Sequence, residues 1–103
     1  MIYEFRTYDL VPGSVPEVMQ RFGESYKKRK DFSKLAAFFY TEIGPLNQII
    51  HIWQFQDDNN RRKLWKTIYA DKDFIKFASE FRPLVLTQEN KLMTCAPWTP
   101  ISD

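Results

Sequence analysis

The sequence predicts an α+β fold: an antiparallel sheet in the ferredoxin-like order βαββαβ, with its helices on one face. Three observations carry this. Residues 38–55 read as two apolar strands broken by a turn at Gly44-Pro45. Apolar residues recur at steps of three and four on either side of that hairpin. The two ends of the chain alternate with the two-residue period of a strand.

Residues 1–10 are the first predicted strand, with Tyr3, Phe5 and Thr7 on one face and Ile2, Glu4, Arg6 and Tyr8 on the other. The second face thus carries an acid, a base and a phenol. After the Val11-Pro12-Gly13 turn, Ser14-Val15-Pro16-Glu17 has capping-box spacing, so a helix is expected there. Val15, Val18, Met19, Phe22 and Tyr26 form its apolar stripe, and Lys27, Lys28, Arg29 and Lys30 close it, where positive charge complements the last carbonyls. In the second hairpin strand, Ile49, His51, Trp53 and Phe55 point one way and Ile50 and Ile52 the other, so both faces require cover. Asp57 to Asn60 offer caps for a second helix running to about Tyr69, with Leu64, Trp65 and Ile68 inward. Asp71 caps a shorter helical piece, in which Phe74, Ile75, Ala78 and Phe81 keep helical spacing up to Arg82-Pro83. Residues 84–94 alternate again and form the last strand.

A chain of 103 residues holds one core, so residues 1–103 are expected to form a single domain. With 44% apolar and 17% aromatic residues it cannot be a disordered chain, and so large an aromatic share suggests surface beyond one intramolecular core. The formal charge of +2 is scattered and selects no acidic partner. The basic groups at residues 27–30 and 61–63 are read as solvent-facing helix charges, and no nucleic-acid binding is expected. Cys95 is the single cysteine, which favours a reducing compartment. No apolar run reaches the roughly 18 residues that span a bilayer, and the chain opens at once with strand character. A cytoplasmic protein without a membrane segment is therefore expected. Helices cover only one face of such a sheet. The other is expected to carry Tyr8, Tyr40, His51 and Trp53, an area too apolar for water, so a homodimer with two facing sheets is predicted.

The segment Thr41-Glu42-Ile43-Gly44-Pro45-Leu46-Asn47-Gln48, followed by His51-Ile52-Trp53, resembles the signature hairpin of the NIPSNAP family. The start Tyr3-Glu4-Phe5-Arg6-Thr7-Tyr8, the Tyr69-Ala70-Asp71 step, Arg82-Pro83-Leu84 and Gln88-Glu89-Asn90 are similar to that family's pattern in the same order. The resemblance implies a dimeric α/β barrel, in which two ferredoxin-like sheets pair and each protomer holds a cavity between sheet and helices. That superfamily includes cofactor-free monooxygenases, and the resemblance brings no catalytic residues with it.

The function expected is that of a NIPSNAP-like homodimer with a small-molecule cavity, a cofactor-independent enzyme on an aromatic or apolar substrate. The alternative, from another class, is a non-catalytic structural or protein-interaction module. His51, the only histidine, is either a general base or ligand-orienting group, or a neutral imidazole of the core. Glu4, Arg6 and Glu42 are charged residues in predicted strands, where burial demands partners. They form a structural ion pair, or Arg6 neutralises a ligand carboxylate or phenolate while Glu42 or His51 moves a proton. Tyr8, Tyr40 and Trp53 are the candidate ligand-binding residues, and Tyr3, Phe38 and Trp65 are either pocket lining or core. Without paired His or Cys no metal or cofactor is expected, and Gly13, Gly23 and Gly44 are too dispersed for a phosphate-binding loop.

Overall fold

β1 (Ile2–Leu10) and β3 (Gln48–Phe55) form the centre of a four-stranded antiparallel sheet, with β2 (Lys34–Tyr40) and β4 (Val85–Met93) at its edges in the order β2-β3-β1-β4. This computed structural model describes residues 1–29 and 32–101. Lys30, the last member of the expected basic run, lies outside the described residues. The strand order is the ferredoxin-like one, and α1 (Val15–Lys28), α2 (Asp58–Ile68) and α3 (Lys72–Phe81) supply the helices. A 3-10 turn at Arg82–Leu84 leads from α3 into β4, where Pro83 disfavours continued helix.

The caps of α2 and α3 formed as read. The Asp57 side chain accepts from the Asn60 amide at 2.7 Å, and that of Asp71 accepts from the Asp73 and Phe74 amides at 2.8 and 3.1 Å. The capping box at α1 does not form. Ser14 Oγ instead donates to the Val11 carbonyl at 2.6 Å, and Glu17 accepts from Arg21 one turn along the helix at 3.0 Å. The preceding turn needs Gly13, whose φ is +83°. β2 begins at Lys34, ahead of the expected residue 38, and the short turn of the hairpin is a seven-residue loop, 41–47. At the base of that loop Asn47 adopts φ +60°. Its carbonyl accepts from Leu10 N at 2.8 Å and its Oδ1 from Gly13 N at 2.9 Å, which fastens the loop to the β1–α1 turn.

The assignment of the sheet faces is corrected by the fold. Tyr8, His51 and Trp53, expected on the open face, lie on the face that the helices cover, with 4%, 2% and 1% of their surface exposed. Phe22 of α1 and Phe81 of α3 meet them there, with ring centroids 5.2 Å apart for Phe22–His51 and 5.5 Å for Tyr8–Phe81. Because β3 is apolar on both sides, alternation separates the two sets without saying which one the helices take. They take the bulkier one, which buries more aromatic area. The opposite face is left to Phe5 and Thr7 of β1, Ile50 and Ile52 of β3, and Ala37 and Phe39 of β2, adjacent in register. Phe39 is 57% exposed. Tyr40 is exposed at the end of β2, and Glu42 is in the 41–47 loop, exposed and outside any strand. Among the described residues no helix is long and apolar enough to cross a membrane.

Candidate functional site

Arg6 on β1 sits opposite His51 on β3, and Tyr8 follows on the same face, so the two central strands deliver a base, an imidazole and a phenol to one place under the helices. Arg6 Nη1 donates to Glu4 Oε2 at 2.5 Å and Arg6 Nε to the Tyr8 hydroxyl at 2.9 Å. The Arg6 guanidinium also lies 4.6 Å from the Trp65 ring centroid. Glu4 is 1% exposed and accepts at its other oxygen from Trp65 Nε1 at 2.9 Å and Arg61 Nη1 at 3.4 Å. Burial pulls the Arg6 pKa down, and its contacts with Tyr8 and Glu4 outweigh that, leaving it above the usual arginine value. Burial raises the Tyr8 pKa, with Arg6 opposing. Tyr8 is thus a neutral phenol near pH 7, and the carboxylate of Glu4 is what balances Arg6.

His51 is walled by rings: Phe38 stacks on it at 4.9 Å and Tyr8 meets it edge-on at 5.0 Å. Trp53 Nε1 donates to His51 Nδ1 at 2.8 Å, which makes Nδ1 the acceptor and places the hydrogen of the neutral ring on Nε2. Nε2 is buried and makes no hydrogen bond with any described residue. Burial, then the charges of Arg6 and Arg29, hold the His51 pKa well below its ordinary 6.5. His51 is therefore a neutral donor, not a group poised to take a proton. Trp53 stands behind it and acts through that hydrogen bond.

The folded pKa of His51 lies below the unfolded value, so on acidification the unfolded chain takes up a proton that the fold excludes. Stability is complete above about pH 6.5 and falls as the pH drops below it, towards the depressed folded value. The slope approaches about 1.4 kcal/mol per pH unit. Urea unfolding between pH 7 and 5 checks this. His51→Asn, whose side-chain oxygen can still accept from Trp53, should show a flatter profile, and an equal slope in both proteins would refute it.

Sequence reasoning missed Arg29. It ends α1 as its C-cap and is 9% exposed, its guanidinium centred 4.8 Å from the Phe74 ring, 5.2 Å from Trp53 and 5.7 Å from Phe77. Its Nε is buried without a hydrogen-bond partner among the described residues. Burial lowers its pKa to about 10, so it remains a cation at neutral pH. The signal was present in the spacing: Val18, Phe22 and Ser25 are the buried positions of α1, and residue 29 is eleven residues, three turns, beyond Val18.

Between the sheet and the helices a cavity of about 240 Å³ is lined by Arg6, Tyr8 and His51 from the strands, and by Phe22 and Arg29 at α1. Trp65, Tyr69, Phe77 and Phe81 line it from the other helices, and Arg82 and Gln88 also border it. Ligand pockets usually run from about 300 Å³ upward, so this one is at the small end. Glu42 and Tyr40 are not part of it. They line a separate, open concavity with Phe39, Ile43 and Pro45. Of the predicted residues, then, Arg6, Tyr8 and His51 come together, Trp53 supports them, and Glu42 and Tyr40 are elsewhere.

Comparison with known proteins agrees with this architecture. The NIPSNAP family profile matches residues 3–100. NipSnap homolog 1 of Danio rerio is 26% identical over 100 residues, a match covering 97% of this chain and 36% of that protein. The chain thus spans about a third of that relative's length. The crystal structure of protein Atu4242 from Agrobacterium tumefaciens superposes with a TM-score of 0.93 at 32% identity, covering 99% of this chain and 100% of that one. An antibiotic biosynthesis monooxygenase superposes with a TM-score of 0.70 at 16% identity over 94% of this chain, a likeness of fold alone.

Proposed function

The chain belongs to the NIPSNAP family, and we propose that it acts as a homodimer that binds a small, flat, apolar or aromatic molecule in the sheet–helix cavity. The observation that carries this reading is a cavity with aromatic walls into which Arg6, Tyr8 and His51 bring polar atoms from two adjacent strands. Pockets that bind small molecules combine apolar lining with a few convergent polar groups in this way. As a catalyst the site would need no bound cofactor: the Nε2–H of a neutral His51 can donate to a carbonyl or enolate oxygen, the role of an oxyanion donor. Thermal shift against aromatic acids and quinols tests the binding. Gln88→Trp, at an exposed position bordering the cavity, should leave the protein folded and abolish any ligand-induced rise in Tm. A rise that survives the plug would place the ligand elsewhere.

Dimerisation is supported by the open sheet face, where Phe5, Ile50, Ile52 and Phe39 form a contiguous apolar area. Light scattering at micromolar concentration should report twice the chain mass, and Ile50→Lys should shift it towards the monomer. A wild-type protein with only the monomer mass would end this part of the reading. A non-catalytic interaction module is favoured by one feature, the 41–47 loop, where Ile43 is 93% and Leu46 68% exposed.

A further inference from the structure

Besides the exposed Arg82 at its rim, two largely buried guanidinium groups face the cavity, and of these only Arg6 is matched by a described acid. Arg6 is tied to Glu4 at 2.5 Å and to Tyr8 at 2.9 Å, so a ligand finds it already satisfied. Among the described residues Arg29 forms no ion pair, and its buried Nε finds no acceptor. Glu24, Asp71, Asp73 and Glu80 border the outer cleft beside it, yet none of them pairs with Arg29: Glu80 is held by Arg21, Glu24 by Gln20, and Asp71 by the first amides of α3. What surrounds Arg29 is aromatic, with Phe74 at 4.8 Å and Trp53 at 5.2 Å. Ring faces return only part of what a guanidinium loses on leaving water. Its planar fork of donors matches a carboxylate. The Nε2–H of His51 is a second buried donor without an acceptor among the described residues, and His51 lines the same cavity.

We propose that Arg29 is the anion receptor of this cavity, and that the ligand is an aromatic monocarboxylate whose carboxylate pairs with Arg29 while its ring packs among the cavity aromatics. This rests on the cavity reading above and goes beyond it by assigning the charge of the ligand and the group that meets it. The sequence motive for Arg6 as the ligand's counter-charge passes to Arg29, because Glu4 has already taken Arg6. A buried cation with no acid partner among the described residues calls for one negative charge.

The test compares 2-naphthoate with 2-naphthamide, of nearly equal shape, by calorimetry on the wild-type chain, Arg29→Lys and Arg29→Met. The wild type should prefer the acid by at least about tenfold, the difference between a charged and a neutral hydrogen bond. Arg29→Met should erase that preference, and Arg29→Lys should keep part of it. Equal affinity for acid and amide in the wild type overturns the assignment of charge and leaves the cavity reading standing. A preference that persists in Arg29→Met overturns the role of Arg29. Binding of neither compound sinks the cavity reading and this inference together. If Arg29→Met does not fold, the wild-type Nε–H resonance that vanishes in Arg29→Lys carries the test. Naphthoate must move it and naphthamide must not, and bound naphthoate that leaves it in place refutes the pairing.

Discussion

Glu4→Ala should lower the free energy of unfolding by about 3–5 kcal/mol, the usual cost of removing one partner from a buried ion pair. Glu4 is 1% exposed and its two oxygens accept from Arg6, Trp65 and Arg61. Truncation leaves the guanidinium of Arg6, whose side chain is 11% exposed, facing a phenol and an indole with no carboxylate. The cost is therefore that of the stranded cation and not the value of the pair itself. A second variant separates the two: Glu4→Ala with Arg6→Met removes both charges and should recover a substantial part of the loss. Urea denaturation of the wild type, Glu4→Ala, Arg6→Met and the double variant checks it. A double variant whose loss equals the sum of the single ones would show that the pair is not the unit that matters.

Trp53→Ala should cost about 3–5 kcal/mol as well, here chiefly through a cavity in the core. The indole is 1% exposed and packs edge-on against Phe32 at 5.4 Å, with Arg29 over its face at 5.2 Å. Its loss also leaves His51 Nδ1 buried without a donor, since Trp53 Nε1 supplies that bond at 2.8 Å. Trp53→Phe separates the two contributions, because it keeps an aromatic ring and removes only the N–H and part of the volume. It should be distinctly milder. Freed of its donor, His51 can adopt either tautomer in this variant, and the ring nitrogen shifts in an ¹⁵N spectrum should change accordingly. Unchanged shifts would mean that the Trp53 bond does not fix the tautomer.

What could be read from the sequence was what neighbours along the chain decide. The caps Asp57 and Asp71, the strand alternation of residues 1–10, and the break at Arg82-Pro83 depend on spacing within one turn or one pleat, and they formed at or close to the places expected. What could not be read was set by partners distant in sequence. Whether His51 or Ile50 lies under the helices depends on where α1 and α3 settle, and both sides of β3 are apolar enough to accept them. Glu42 looked like a strand residue because apolar residues flank the Gly44-Pro45 break, yet pairing ends with the Thr41 amide donating to Gln48 O at 3.1 Å. Arg29 looked like one of four solvent-facing charges. Only the packing of α3 across the end of α1 reveals that it is enclosed by rings. The site was thus legible in Arg6, Tyr8 and His51, which share a strand pair, and illegible in the helix residue that faces them.

The clasp at Asn47 makes two loops one mechanical unit. Its side-chain oxygen and its carbonyl hold the Gly13 and Leu10 amides, so the root of the 41–47 excursion is riveted to the start of α1. The tip, residues 42–46, can lengthen or change without the helix noticing. Altering residue 47 itself would loosen the seam between the sheet and the helix that carries Phe22 and ends in Arg29, so a change far from the cavity would still reach one of its walls.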